Sequence, residues 1–207
     1  MNMENEHSIK ETEPLMPAPL GKRILAFAMD LILLVLLIQL LANFFPDFYP
    51  ASVKHEFNQV LLDASLLPEE VRGDSQQLAN FLADSKLSPE TYEMLLAMLF
   101  WACLIPILYF FFGERFFDGQ TLGKATVRIK TLSLDGISPI SPYRLLGKAI
   151  IKGLCSLSLG TPFFLPGLLN FLLCFLNRER RCLHDLIGGC ITINTPAVPK
   201  LKISDAS

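Results

Sequence analysis

Residues 24–45 read ILAFAMDLILLVLLIQLLANFF, an apolar run with one charged side chain, Asp30. At about 1.5 Å of rise per residue, a helix of this length crosses the roughly 30 Å hydrocarbon core of a bilayer. The run is too long for the apolar core of a secretory signal, and it lacks a small-x-small cleavage site. We therefore expect it to stay in the protein as a first transmembrane helix.

The composition agrees with an integral membrane protein. Of the 207 residues, 51% are hydrophobic and 18% are charged, and the mean hydropathy is +0.41, which is too apolar for an ordinary soluble domain. The net charge of -2 argues against nucleic acid as a partner, because phosphate binding needs a concentrated basic surface. No nucleophile elbow, phosphate loop, dinucleotide fingerprint or zinc-protease motif is present, so we expect neither an enzyme nor a cofactor.

Two further apolar segments complete the predicted fold, an all-α membrane protein with a small cytoplasmic strand pair. Residues 94–112 are uncharged and predict a second transmembrane helix that tolerates Pro106. Residues 153–176 are also uncharged, but Gly160, Thr161 and Pro162 interrupt them. This third segment is either a re-entrant hairpin of two short helices or a plain third span. The β-branched runs at 125–134 and 190–194 predict two strands, which pair only if both lie on one side of the membrane.

The distribution of charge predicts the orientation. Residues 47–93 contain nine acidic side chains against three basic ones, whereas residues 113–152 contain seven basic against three acidic. Cytoplasmic flanks are enriched in Lys and Arg, so we expect the N-terminus and 113–152 inside and 47–93 outside as a helical insertion. Residues 1–18 and 196–207 are predicted to be disordered tails around a membrane domain at 19–195. All five cysteines lie outside 47–93, which implies no disulfide framework there.

Asp30 is the most informative ionisable residue. An aspartate inside an apolar span costs about 2.5–3.5 kcal/mol unless it is paired, protonated or hydrated. Arg23 lies on the same helical face, but the separation of about 10.5 Å along the axis makes pairing across helices more favourable. Asp30 either binds a proton or a small cation, or forms a structural ion pair. The candidate cross-helix partners are Lys148, Lys152, Asp185 and Arg144.

Two other motifs have a functional and a structural interpretation. His184 beside Asp185 suits a proton relay, or a capping or hydrogen-bonding device. Cys182, His184 and Cys190 offer three metal ligands without a fourth and with no standard spacing, so we expect no metal site. The run from Gly119 to Lys124 lacks the spacing of a phosphate loop and predicts a glycine-bounded turn from the second span into the strands.

Three groups of residues, in this order, resemble the RDD family of membrane proteins, which is named for an arginine and two aspartates. They are Arg23 with Asp30, the loop Gly119 to Lys124 followed by Asp135 and Gly136, and the run Arg181, Leu183, His184 and Asp185. The resemblance covers about residues 19–195. It implies that Arg23, Asp30 and Asp185 are signature positions, with Gly119, Gly123 and His184 in the same domain. The long acidic segment at 47–93 departs from the usual short form, and Gly188-Gly189-Cys190 stands where a Gly-Thr pair is common.

The resemblance implies two functions of different classes. Some family members are described as similar to cation/proton antiporters, which predicts a small transporter with Asp30 as its ion or proton site and with Lys148 and Lys152 in support. At least one eukaryotic relative is an assembly partner in a membrane complex, which predicts a scaffold or accessory subunit. In either case we expect a protein of a bacterial cytoplasmic (inner) membrane that forms a homo-oligomer or binds a membrane partner.

Overall fold

The computed structural model describes residues 16–134, 140–159, 164–177 and 180–195. These ranges are mostly helical, with nine α-helices and a two-stranded antiparallel sheet. The predicted tails lie outside the described residues except for 16–18. The backbone N–H of Ala18 donates to the carbonyl oxygen of Thr192 at 2.8 Å, and Pro17 forms a bridge with Ile193. The last part of the predicted N-terminal tail is thus attached to the sheet.

Two of the described helices are long and apolar enough to cross a membrane. α1 comprises Leu20–Phe44 and continues as a 3-10 turn over Phe45–Phe48, and α5 comprises Pro89–Phe116. Both predicted candidate spans are confirmed. α5 extends past the predicted 94–112 at both ends. At its start, the Ser88 side chain caps the helix by accepting a hydrogen bond from the backbone N–H of Thr91. Pro106 lies inside α5 without ending it.

Short helices connect the two candidate spans, as predicted for the helical insertion at 47–93. They are α2 (Ala51–Leu66), α3 (Glu69–Arg72) and α4 (Ser75–Asp84). The Asp74 carboxylate caps α4 and accepts hydrogen bonds from the backbone N–H groups of Gln76 and Gln77 at 2.8 and 3.3 Å. Phe57 of α2 packs in a buried cluster with Met94 of α5. This contact holds the connecting helices against the start of α5.

After α5 the chain forms the sheet that the β-branched runs predict. The elements are α6 (Leu122–Thr126), β1 (Ile129–Ser133) and β2 (Cys190–Asn194). β1 and β2 pair antiparallel, with Thr131 opposite Thr192. β1 is shorter than the predicted run 125–134, because Thr121 caps α6 and draws Ala125 and Thr126 into that helix. The pairing places residues 129–133 and 190–194 on the same side of the molecule.

Three helices lie between the strands: α7 (Pro142–Ser158), α8 (Leu165–Leu176) and α9 (Leu183–Gly188). The third apolar segment is divided between the end of α7 and α8, while the predicted break at 160–162 lies outside the described residues. α7 packs closely on α5 at Gly153, which has no side chain. A Cβ at this position would lie only 2.9 Å from Ile107 Cγ1. The 12 residues of α8 extend about 18 Å, which is less than a bilayer core.

Candidate functional site

Asp30 lies on the buried face of α1 and is 1% exposed. Its carboxylate accepts three hydrogen bonds. The Tyr109 hydroxyl and the Thr121 hydroxyl each donate at 2.6 Å, and the backbone N–H of Gly123 donates at 2.8 Å. An ionised carboxylate only accepts hydrogen bonds, so this set of donors matches its charged form.

The loop before α6 brings these donors to Asp30. Gly119 has a φ of +75° and lies against the backbone of Thr131, which leaves no room for a Cβ. Gly123 lies against the backbone of α1, where a Cβ would overlap the carbonyl oxygen of Ala26 and lie 2.7 Å from Asp30 Oδ1. The loop forms the predicted turn, and its Gly123 N–H binds the protein's own carboxylate.

Arg23 and Asp185 form a buried ion pair, in which Arg23 Nη2 contacts Asp185 Oδ2. The other oxygen of Asp185 lies 3.1 Å from Lys148 Nζ on α7. Arg23 Nη2 also donates to the Thr192 hydroxyl at 3.3 Å. Burial by itself raises the pKa of Asp185, but the charges of Lys148 and Arg23 hold that pKa well below its ordinary value. α1, α7, α9 and β2 are thereby joined at one carboxylate.

Lys148 extends this arrangement toward α5. Its Nζ lies 2.8 Å from Glu114 Oε2 and 3.2 Å from the hydroxyl of Thr131. The other Glu114 oxygen pairs with Lys124, whose Nζ also donates to Thr131 at 2.5 Å. Glu114 is therefore held between two lysines from different elements.

Lys152 has the weakest polar contacts of these charged groups. Its Nζ lies 3.8 Å from Asp30 Oδ2 and 3.9 Å from the centroid of the Phe110 ring, and it makes no hydrogen bond within the described part of the chain. Burial, followed by repulsion from Lys124, lowers the pKa of Lys152 to about 8. A pKa of about 8 places Lys152 close to its protonation equilibrium at physiological pH.

Together these residues form a buried charge cluster with four cations and three anions. None of their side chains is more than 9% exposed. Ionisable groups inside an apolar environment are costly unless they are paired, so their concentration here marks the candidate site. The members are Arg23, Lys124, Lys148, Lys152, Asp30, Glu114 and Asp185.

The sequence model of the RDD family matches residues 17–189 of this chain. The chain belongs to the RDD family. No curated protein and no solved structure matches it significantly. Arg23 and Asp185 contact each other directly, and Asp30 lies in the same cluster beside Lys152. Of the predicted cross-helix partners, Lys148, Lys152 and Asp185 join the cluster, whereas Arg144 is exposed.

His184 stands next to Asp185 and is hydrogen-bonded to α8. Its Nδ1 lies 2.8 Å from Asn170 Oδ1, which also accepts from the His184 backbone N–H at 3.2 Å. Nε2 lies 3.6 Å from Asp185 Oδ1. Burial lowers the pKa of His184 to about 3, so the imidazole is neutral at physiological pH. These contacts match a hydrogen-bonding device that attaches α9 to α8.

The residues best placed to hold a metal are Cys182, His184 and Asp185, whose ligand atoms lie within 4.8 Å of one another. This set differs from the predicted trio, because Asp185 takes the place of Cys190. Arg23 and Lys148 already contact both Asp185 oxygens. Their positive charges repel an incoming cation, so the surroundings of these ligands do not favour metal binding.

A cavity of about 30 Å³ lies within the buried charge cluster. Charged side chains from α1, α6 and α7 line it, and aromatic side chains form part of its wall. The lining includes Arg23, Asp30, Lys124, Lys152, Phe27 and Phe171.

Sequence reasoning missed four residues that build the site. Tyr109 was not distinguished from the other residues of the second span, Glu114 was counted only as a charge of a flanking segment, and Lys124 was placed in a loop without a role at the site. Thr121 had no signal of its own. The sequence feature that could have indicated Lys124 is its position in the glycine-bounded loop, which belongs to the same domain as Asp30.

Proposed function

We propose that this RDD protein is a small secondary transporter that couples the movement of an ion to a proton, with Asp30 and Lys152 as its proton-exchanging pair. The observation that carries the proposal is the unequal number of hydrogen bonds that the two groups form. Asp30 accepts three hydrogen bonds, whereas Lys152 has none in the described chain. A proton on Lys152 therefore leaves a buried ammonium that has an ion pair and an aromatic ring beside it but no hydrogen bond among the described residues.

The donors around Asp30 disfavour direct binding of a cation at that carboxylate. Sodium, like other hard cations, is coordinated by oxygen acceptors. The Tyr109 and Thr121 hydroxyls and the Gly123 N–H all donate toward Asp30 instead. The role of Asp30 is then to hold a negative charge that keeps Lys152 close to the protonation equilibrium.

The proposal includes an orientation, with α1 and α5 as spans and the N-terminus in the cytoplasm of a bacterial cell. The basic flank at 113–152 supports a cytoplasmic sheet. The pairing of β1 with β2 and the short α8 support a hairpin of α7 and α8 that returns to the side of its origin. Such a hairpin is stable in a membrane where protein covers its bend.

A homo-oligomer is part of the proposal. Only 17% of the apolar window of Leu20–Phe48 and 11% of that of Pro89–Phe116 are buried. Two such helices leave most of their surface to lipid or to other helices, and they are too few to enclose an ion path by themselves. A second copy supplies the missing walls.

Everted membrane vesicles test the proposal through the collapse of an imposed proton gradient, reported by a pH-sensitive dye, when sodium or potassium chloride is added. We expect faster collapse with the wild type than in vesicles without the protein. Asp30→Asn and Lys152→Met should remove the difference. Lys130→Met should keep it, because Lys130 pairs with exposed Asp118 outside the cluster. Equal responses of wild type and both cluster variants would contradict the proposal.

A second candidate function is a scaffold or accessory subunit, favoured by an exposed apolar stripe on α2. Leu61, Leu62 and Leu66 are 52%, 60% and 75% exposed. Purification in mild detergent distinguishes the two functions. Recovery of a partner at fixed stoichiometry, lost in the triple variant with serine at these leucines, favours the scaffold. An oligomer of this chain alone counts against it.

A further inference from the structure

The cavity in the buried charge cluster is surrounded by more positive than negative charge. Arg23, Lys124 and Lys152 line it together with one acidic residue, Asp30. Across the whole cluster the four cations exceed the three anions by one. In a low-dielectric interior an uncompensated charge is unfavourable, so the cluster gains stability from one additional negative charge.

Arg23 supplies a hydrogen-bond donor that the protein itself does not use. Its side chain is 9% exposed, and Nη2 is engaged by Asp185 and Thr192. Nη1 is buried and has no hydrogen-bond partner in the described ranges. A buried donor without an acceptor is unfavourable, because it has lost its hydrogen bonds to water. A small acceptor in the adjoining cavity removes that cost.

The remaining walls suit an anion better than a neutral group. Within the described ranges, neither the ammonium of Lys152 nor Arg23 Nη1 has a hydrogen-bond partner. Phe27 and Phe171 also line the cavity, with their ring centroids 4.4 Å apart. The Asp30 oxygens are already covered by three donors, which reduces their repulsion of a neighbouring anion.

We propose that this cavity binds one small monovalent anion, of the size of chloride, between Arg23 and Lys152. The volume of about 30 Å³ is enough for one small ion or water molecule, and a surplus of one positive charge favours a monovalent anion over divalent sulfate. A water molecule fits the same space and satisfies Arg23 Nη1, but it does not balance the surplus charge. Anion binding does not require that the protein transports anything.

The test is thermal unfolding of the purified full-length protein in detergent at pH 6.5. Ionic strength is kept constant while gluconate is replaced by chloride or bromide. We expect a saturable rise in the unfolding temperature of about 2–5 °C with either halide and none with sulfate. Lys152→Met removes the surplus charge and should abolish the rise. Lys130→Met removes an equal charge outside the cavity and should keep it.

Two outcomes would overturn the anion site. A chloride response no larger than that of gluconate assigns the cavity to water, and an undiminished response in Lys152→Met places the halide elsewhere. Bromide anomalous scattering beside Arg23 provides a second readout that does not depend on stability. Because no gradient is present, a failure here leaves the proton-coupling test in vesicles unaffected, and the reverse also holds.

Discussion

Arg23 at the start of α1 pairs with Asp185 in α9 across 162 positions of sequence. The contact joins the first membrane helix to the last short helix before β2. Lys148 shares the same carboxylate, so the pair is one part of a continuous network. Arg23 and Asp185 thus link the beginning of the domain to its end.

Asp185→Asn should strongly destabilise the protein, because it leaves Arg23 and Lys148 buried beside a neutral amide. The expected loss is about 3–5 kcal/mol of unfolding free energy, measured by denaturation in detergent. The matched control is Asp47→Asn. It removes the partner of Lys54 in a pair whose side chains are about half exposed, and it should change stability by less than about 1 kcal/mol. Similar effects of the two variants would contradict the network.

Gly123→Ala should separate α6 from α1, because the new Cβ would overlap the Ala26 carbonyl oxygen and approach Asp30. We expect a lower unfolding temperature and loss of proton coupling. Gly147→Ala is the matched control in α7, where a Cβ has no neighbour within 4 Å. Gaining helix propensity, that variant should be neutral or up to about 1 kcal/mol more stable. A tolerated Gly123→Ala would show that this close approach is not required.

Stability should rise between about pH 8 and 10, because Lys152 has a folded pKa of about 8, below that of an unfolded lysine. Within that window the unfolded chain binds the proton and the folded chain does not, so raising the pH favours folding. Lys152→Met should remove this rise when unfolding is followed by Trp101 fluorescence. An identical pH profile in the variant would contradict the assignment. The charged groups that act on Lys152 are Asp30 on α1, Glu114 on α5, Lys124 on α6 and Lys148 on α7.

A reporter fused after residue 201 should lie in the cytoplasm. The reason is the pairing of β2 with β1, since β1 follows α5 on the side that carries the basic flank. Activity of paired cytoplasmic and external reporters measures the side directly. An external C-terminus would mean a third span, and it would be incompatible with the contact between Arg23 and Asp185.

Periodicity and apolar runs were enough to predict the elements. The two spans, the cap at Asp74 and the antiparallel strands all follow from local chemistry, which acts over a few neighbouring residues. The start of β1 was misplaced, because the Thr121 cap and the contact of Gly123 with α1 decide whether residues 125 and 126 are helical. That contact is a tertiary one.

The candidate site was predictable only in part. An isolated acid in an apolar span had to have a partner, and Lys152 was among the candidates. The positions of Glu114 and Lys124 depend on how α5, α6 and β1 pack around Thr131. No spacing in the sequence encodes that three-dimensional arrangement.

Proton movement in proteoliposomes is the most direct test of the central claim that Lys152, held beside Asp30, exchanges a proton. Purified protein is reconstituted with an internal pH dye, and gradients of sodium, potassium or chloride are applied in turn. We predict proton flux with wild type and Lys130→Met, and a fall of at least about tenfold with Lys152→Met. Undiminished flux in Lys152→Met, or none from the wild type with any of the three ions, would contradict the account.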